Sequence, residues 1–335
     1  MTIRWIEGFE LNVPEGANSL KEKYQEAPFF GGYVAEGHYF GNSSRGAQLR
    51  TPSFGLENTF TVGVDIYLAT QPSEVVDHEL RFLRYDLEQC RVELADSGPG
   101  WTVAVKRGAT TLATASSEEF ELNAWHYLEV QVTPSTSGSY SVRVNGETIL
   151  SGSSANLAAT GFTKADVVEF NLNGRVDHIY ITDDTGARNT SFLGPQVIEG
   201  LEPDEDGTTT DWDKSTSTLD HHEILNWQNN PDMDYVSADT PGTEELLGVQ
   251  DIKFIEAEIK CIALLAGLFQ SGIGTRTLKG LFKQKGEDVS TLTEKTLLGN
   301  AAKYILGVEE QNTREDRGWQ KRDINEGQFG EELES

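Results

Sequence analysis

The sequence predicts an all-β protein: a two-sheet antiparallel β-sandwich followed by a smaller, mainly β second domain. Three observations carry this expectation. Short apolar-alternating runs recur through the first 195 residues, turn signals separate them, and helical periodicity is sustained nowhere except weakly in Ser19 to Gln25. The length agrees, because 335 residues suffice for two domains of roughly 150 residues each.

The strands can be justified in order. Thr59 to Leu68 is rich in β-branched and aromatic residues. Leu80 to Tyr85, Arg91 to Leu94 and Trp101 to Lys106 follow, then Trp125 to Val132, Ser139 to Val144, Val167 to Leu172 and His178 to Ile181. Alternation is clearest in Tyr127 to Val132, where Leu128, Val130 and Val132 share one face. Turns are expected at Asp96 to Gly100, at Thr136-Ser137-Gly138 and at Asn145-Gly146. The Asn-Gly pair is the strongest of these signals, because a type I′ hairpin turn needs φ > 0 at both central residues.

Residues 196–250 break the pattern. Leu201 to Asp251 holds 14 acidic residues against one basic residue, Lys214. Glu202 to Thr210 reads as turn-rich, while Trp212, Leu225, Trp227, Met233 and Tyr235 are apolar anchors. The expectation is an acidic extended linker or strap that lies on a neighbouring surface and serves assembly. In residues 251–330, Ile255, Ala257, Ile259 and Cys261 alternate with Phe254, Glu256, Glu258 and Lys260, a strand signature. Arg276 to Lys285 and Lys303 to Val308 look similar, with turns at Gly272-Ile273-Gly274 and Lys285 to Asp288. Ser290 to Ala302 is a candidate helix weakened by its threonines, and residues 331–335 read as a frayed acidic tail.

Charge narrows the function classes. Fifty-four acidic and 27 basic side chains leave a formal charge of −27. Nucleic-acid binding needs clustered Lys and Arg to neutralise phosphates, and an anionic membrane repels such a chain. The partner is expected to be another protein, a neutral glycan or a cation. No apolar run reaches the ~20 residues that span a bilayer. The N-terminal residues also lack a secretory apolar core, so synthesis in a host cytoplasm is expected. Cys90 and Cys261 sit in apolar-alternating segments and read as buried free thiols.

Motifs for catalysis are sparse. No Gly-x-Ser-x-Gly, phosphate-binding Gly-x-x-x-x-Gly-Lys-Ser/Thr or Gly-x-Gly-x-x-Gly occurs. The six histidines are scattered; only His221 and His222 adjoin, in what reads as a solvated turn, and His126 and His178 lie in strands. Glu256 and Glu258 have the spacing of a paired-carboxylate glycosidase site, as do many solvated strand faces. Asp204 to Gly207 and Asp183 to Gly186 are acidic segments that each supply part of a calcium shell. No cofactor is expected, and no catalytic, cofactor-binding or metal-binding residue is assigned. Trp101, Tyr85 and Tyr140 are candidate sugar platforms, each equally able to be core.

The block Trp125-His126-Tyr127-Leu128-Glu129-Val130-Gln131-Val132, then Gly138 and Ser141-Val142-Arg143-Val144-Asn145-Gly146, resembles the laminin-G/concanavalin-like jelly roll. The resemblance implies two neighbouring core strands with Trp125 as a core anchor, and Val176 to Ile181 as the closing strand. The whole chain is similar to tailed-bacteriophage virion proteins that carry such a domain. Matching positions are Asp183, Gly186, Asn189 and Gly194, then Pro203, Asp206-Gly207 and Trp212. Asp232-Met233-Asp234-Tyr235-Val236-Ser237 follows, and then Trp319 with Asp323-Ile324-Asn325. This likeness implies a non-enzymatic structural component of a virion, in the tail, neck or fibre region or decorating the capsid. Its partners would be other virion proteins and further copies of itself. The alternative is a glycan-binding module for the host surface, and a weaker one is a polysaccharide depolymerase.

Overall fold

The computed structural model describes residues 3–335 apart from 8–32, 36–37, 42–48, 52, 55–58, 69–77, 97–100, 118–120, 122, 160–161, 172–173, 227–233, 255–257, 267–274, 299–303 and 313. The chain divides into two compact units, Met1–Ile198 and Glu199–Ser335. Both are built from antiparallel strands, as the sequence predicts.

The first unit contains β1 (Ile3–Glu7), β2 (Tyr33–Ala35), β3 (His38–Gly41), β4 (Leu49–Arg50), β5 (Phe60–Leu68), β6 (His78–Arg84) and β7 (Leu87–Asp96). It continues with β8 (Trp101–Arg107), β9 (Thr110–Ser117), β10 (Ala124–Val132), β11 (Gly138–Val144), β12 (Glu147–Ala155), β13 (Val167–Asn171) and β14 (Gly174–Asp183). One sheet runs β12-β11-β10-β5-β14-β3-β2, with β1 also paired to β14; the other runs β4-β13-β6-β7-β8-β9. This is the jelly-roll sandwich. Val62, Val64, Ile66, Leu128 and Val130 of the first sheet are buried, as are Phe82, Val92, Val103 and Phe170 of the second. Phe60 and Phe82 meet across the two sheets with ring centroids 6.3 Å apart. All the strands read from this half of the sequence are strands; those read at Arg91 to Leu94 and His178 to Ile181 extend well beyond those bounds, and the others differ in length by a single residue. Asn145 and Gly146 turn the β11–β12 hairpin with φ of 51° and 87°, the left-handed pair that a type I′ turn requires. Of the turn expected at Asp96 to Gly100, Asp96 ends β7 and the rest lies outside the described residues, as does the weak helix at Ser19 to Gln25.

Trp125 is not a core anchor. Alternation along β10 sends Leu128, Val130 and Val132 inward, so Trp125, an odd number of residues from each, belongs to the outer face. It is 38% exposed. Cys90 is buried in the sandwich and Cys261 is half-buried in the second unit. Burial pushes the Cys261 thiol up to about 12 and the Cys90 thiol higher still, which keeps both in the unreactive protonated form.

The second unit comprises β15 (Pro203–Thr210), β16 (Asp213–Lys214), α1 (His221–Leu225), β17 (Val236–Ser237), β18 (Thr243–Val249), β19 (Ile262–Ala266) and β20 (Thr275–Lys283). It ends with β21 (Ser290–Leu298), β22 (Tyr304–Glu309), α2 (Lys321–Asn325) and β23 (Gln328–Leu333). Its main sheet has the order β15-β18-β23-β20-β21, beside the two-stranded pairs β16-β17 and β19-β22. Phe282, Leu292, Trp319, Ile324 and Phe329 form one apolar cluster, and Trp212, Leu278 and Leu333 another.

Four expectations are corrected here. The acidic stretch read as an extended linker or strap supplies two strands of the main sheet, β15 and β18. Trp212 and Leu247 give it buried contacts that its composition hides. The described residues between Asp251 and Cys261 are irregular, and the strand begins at Ile262. Ser290 to Leu298 is a strand paired along its length with β20 and not a helix. Thr291, Thr293 and Thr296 are β-branched and fit a pleated surface better than a helix. The tail is not frayed: β23 lies between β18 and β20, with Phe329 and Leu333 buried two positions either side of Glu331.

Candidate functional site

A cleft of about 190 Å³ opens on the outer face of the first unit, lined by Asp65, Trp125, Asp177 and His178. Register explains the grouping. Across β10, β5 and β14, Tyr127, Asp65 and Asp177 stand in one row. The next row places Trp125 opposite Tyr67, and the row on the other side places Glu129 and Tyr180 over Gly63. Side chains in such rows point to the same face.

His178 reaches this face because β14 bulges. The pairing with β5 shifts between Asp177 and Tyr180, so His178 is an extra residue, with φ of 47°. A bulge re-aims a side chain, and a left-handed non-glycine residue stores strain that the surroundings must hold in place. His178 Nδ1 lies 2.8 Å from Asp65 Oδ2, and its Nε2 lies 3.8 Å from Asp177 Oδ2. The His178 N–H donates to Asp177 Oδ1 at 2.7 Å, and Tyr127 Oη donates to the His178 carbonyl at 3.4 Å. Backbone and ring are therefore both fixed. Trp125 meets Tyr67 edge-on at 5.5 Å and 61°, leaving a rigid aromatic wall beside the polar floor.

The next row is closed over. Tyr180 Oη donates to Glu129 Oε1 at 2.5 Å, Gly194 N–H donates to the same oxygen at 2.9 Å, and Leu193 N–H donates to Tyr180 Oη at 3.1 Å. Residues 193–194 thus cover Glu129 and Tyr180, both buried, while the cleft stays open. Burial, reinforced by the Glu129 carboxylate, raises the Tyr180 phenol and keeps it a donor. A Cβ on Gly63 would stand 2.1 Å from the Tyr180 ring, so only glycine fits beneath it.

The residues singled out from sequence fall elsewhere. Trp101 is 1% exposed and packs on His78 at 5.2 Å in the core, where burial lowers that imidazole to about 4. Tyr85 is 64% exposed at the β6–β7 turn, edge-on to Phe162 and beneath Arg84. Tyr140 is half-buried over Gly152. His126 is buried in β10, with Nε2 2.8 Å from the Glu121 carbonyl. Glu256 lies outside the described residues, and Glu258 is exposed and paired with Lys260 at 2.6 Å. His221 and His222 open helix α1 and are no solvated turn, because Asp206 accepts the His222 N–H and faces its Nδ1, both at 2.8 Å. Asp220 is the N-cap of α1, Asp206 satisfies a first-turn N–H of the helix from within β15, and Asp204 to Gly207 is strand. Asp183 is buried and takes Arg4 together with the Thr185 N–H. Among the described residues, no group of three or more His, Cys, Asp or Glu side chains is placed to hold a metal ion. No described helix is long and apolar enough to cross a membrane.

A spacing signal for the cleft exists in the sequence. Val176 and Ile179 both face the core although they stand three apart, which breaks period two at Asp177-His178 and marks the bulge.

No family model matches the chain. No curated protein matches it by sequence. Solved structures similar to it include galectin LEC-6 of Caenorhabditis elegans, at 14% identity and TM-score 0.31 over 44% of this chain and 95% of that one. Another is the CBM2 module of the evolved Dit of Lactobacillus casei BL23 phage J-1, at 9% identity and TM-score 0.38 over 54% and 95%. A third is alginate lyase Aly36B, at 7% identity and TM-score 0.40 over 53% and 96%.

Proposed function

We propose that the chain is a non-enzymatic recognition protein whose sandwich binds a neutral glycan in the Trp125 cleft. The observation that carries this reading is the open cleft itself, with an exposed indole braced by Tyr67 beside two carboxylates and an imidazole fixed by a strained bulge. A sugar ring offers an apolar face to an aromatic wall and hydroxyl donors to carboxylate oxygens, so one ligand satisfies both halves of the site. Pre-organisation lowers the ordering cost of binding.

A second reading, as a structural component of a tailed-phage virion, is supported by a different observation. The positions that match the phage proteins do defined structural work: Asp183 anchors Arg4, Asn189 and Gly194 have φ of 51° and 76°, and Gly194 donates to Glu129. The two readings are compatible, since a particle protein can also adhere to its host. Its location would then be the virion, with other virion proteins and copies of itself as partners.

A glycan array followed by calorimetry on the best ligand tests the first reading. Trp125→Ala is expected to weaken binding at least about tenfold, because truncating an aromatic anchor typically costs ~2 kcal/mol, with little loss of stability. His178→Gly keeps a residue suited to the left-handed backbone while removing the ring, and is expected to fold and bind poorly. Unchanged affinity in both variants, or an array with no ligand, overturns the proposal. Release of new reducing ends from a bound polysaccharide would overturn the non-enzymatic part. Mass spectrometry of purified virions tests the second reading.

A further inference from the structure

The second unit sets two carboxyls directly opposite each other between apolar rows, Glu245 buried and Glu331 half-buried. Along β18, β23 and β20, one row is Leu247-Phe329-Phe282, the next Glu245-Glu331-Gly280, and the next Thr243-Leu333-Leu278. Phe329 and Phe282 belong to one apolar cluster and Leu333 and Leu278 to the other, so the carboxyl row lies between them. Glu245 is 1% exposed, and His221 of α1 is buried beside it with Nδ1 2.8 Å from Glu245 Oε1. Neither of these two atoms has a hydrogen-bond partner elsewhere among the described residues. Two bare acceptors at that distance repel, so one of the two groups carries a proton there, and the charges around the pair decide which.

We propose that a protonated Glu245 docks α1 on β18 through His221, and that loss of this proton in mildly alkaline solution loosens the helix and the surrounding sheet. The charged groups around the pair leave a Glu245 anion without compensation. From β23 comes Glu331, directly opposite; from β15 comes Asp206; and Asp211 precedes the Trp212 N–H that reaches Glu245 Oε2 at 3.4 Å. From α1 and its cap come His222, committed to Asp206, and Asp220, while Lys214 acts on His221. Glu244 lies on the opposite face of the sheet, opposite Glu332, which Lys279 neutralises. Gly280 completes the row without a charge. Like charges directly opposite on neighbouring strands destabilise a sheet, and burial multiplies the effect.

Burial first, then the negative charges of Asp206, Glu331 and Asp211, outweigh the Trp212 N–H and push the Glu245 carboxyl up to about 8, and burial pushes Glu331 up to about 7. Burial also lowers His221, which favours the neutral imidazole that accepts the Glu245 proton. Both carboxyls lie above their ordinary value near 4.5. At these two carboxyls the folded state therefore binds more protons than the unfolded state between about pH 4.5 and 8, while the lowered His221 works the other way below its ordinary 6.5. Stability of this unit falls as pH rises through that window.

The full chain should be followed by hydrogen exchange at pH 6, 7.5 and 9, with rates corrected for intrinsic pH dependence. Protection of residues 221–225 and 243–249 is expected to drop at least tenfold from pH 6 to 9, while the first unit's β5 and β10 change less. Glu245→Gln supplies an amide N–H to His221 at every pH and is expected to keep its protection at pH 9. Constant protection in the unmodified chain overturns the proposal, as does a parallel loss in Glu245→Gln. If Glu245→Gln does not fold, Glu331→Gln serves instead: it removes the opposing charge and is expected to move the loss to higher pH, and an unmoved loss overturns the proposal.

Discussion

Replacing Tyr180 with alanine is expected to destabilise the first unit by about 3–5 kcal/mol, the range for truncating a buried aromatic. The ring is buried, stacks with Tyr127 at 6.4 Å and fills the space above Gly63. Its removal does more than open a cavity. Glu129 Oε1 loses a 2.5 Å donor while Oε2 has no partner among the described residues, and Leu193 N–H loses its acceptor. A buried carboxylate stripped of donors is costly. Tyr180→Phe separates the terms: it keeps the ring volume and removes only the hydroxyl, so it should cost about 1–3 kcal/mol. Urea denaturation measures both, and hydrogen exchange at Leu193 and Gly194 should report lost protection in both variants. A Tyr180→Ala cost below about 1 kcal/mol would show that the closed row is not part of the cooperative sandwich. The open cleft is the adjoining row, so its floor depends on this packing, and under the proposed function the alanine variant should also bind glycan less well.

The sandwich was legible because each of its strands carries its own signal. Period two in Tyr127 to Val132 and the Asn145-Gly146 turn are local facts of the chain, and the structure keeps both. The second unit was less legible because its burial is not local. Ser290 to Leu298 becomes a strand by pairing with β20, and Glu331-Glu332 is held inside the sheet by β18 and β20 on either side. Composition reads such residues as helix or loose tail when tertiary pairing has made them strands. Trp125 shows the complementary failure. A tryptophan opening an apolar strand is expected in the core, yet its position relative to Leu128 and Val130 places it outside, and the alternation already contained that information. The cleft itself needs three strands in register and a bulge in one of them. Asp65 and Asp177 stand 112 positions apart and meet only through the β5–β14 pairing. No motif search along the chain finds such a pair.

In the second unit the largest expected effect belongs to Asp323→Ala, which should cost about 3 kcal/mol, the lower end for breaking a buried ion pair. Asp323 is buried and takes Arg317 in a two-pronged pair, Nη1 at 2.6 Å and Nη2 at 2.8 Å. It also accepts the Gln320 N–H at 2.9 Å, satisfying a donor at the start of α2. The lower end applies because Arg317 remains about one quarter exposed and can be solvated once released. Burial works against the charged carboxylate, but Arg317 and the Gln320 N–H outweigh it and hold Asp323 below the usual carboxylate range. The sign of the pH dependence follows. A carboxyl lowered by folding stabilises the native state above its unfolded value near 3.8, and this contribution is lost as pH falls through the folded value. Acid unfolding of the second unit should therefore begin at higher pH in Asp323→Ala once its lower starting stability is included, while the Asp323 share of the acid slope disappears. The Trp319 indole reports the change, since it donates to the Glu309 carbonyl at 3.0 Å and packs edge-on against Phe282 at 5.1 Å. Its cluster closes over the same end of the sheet that α2 covers. The Asp323-Ile324-Asn325 turn thus acts through geometry: Ile324 enters the cluster, Asp323 locks Arg317, and the Asn325 side chain accepts the Ile252 N–H at 3.1 Å. A variant that melts with the unmodified protein would show that α2 is held by its apolar contacts alone.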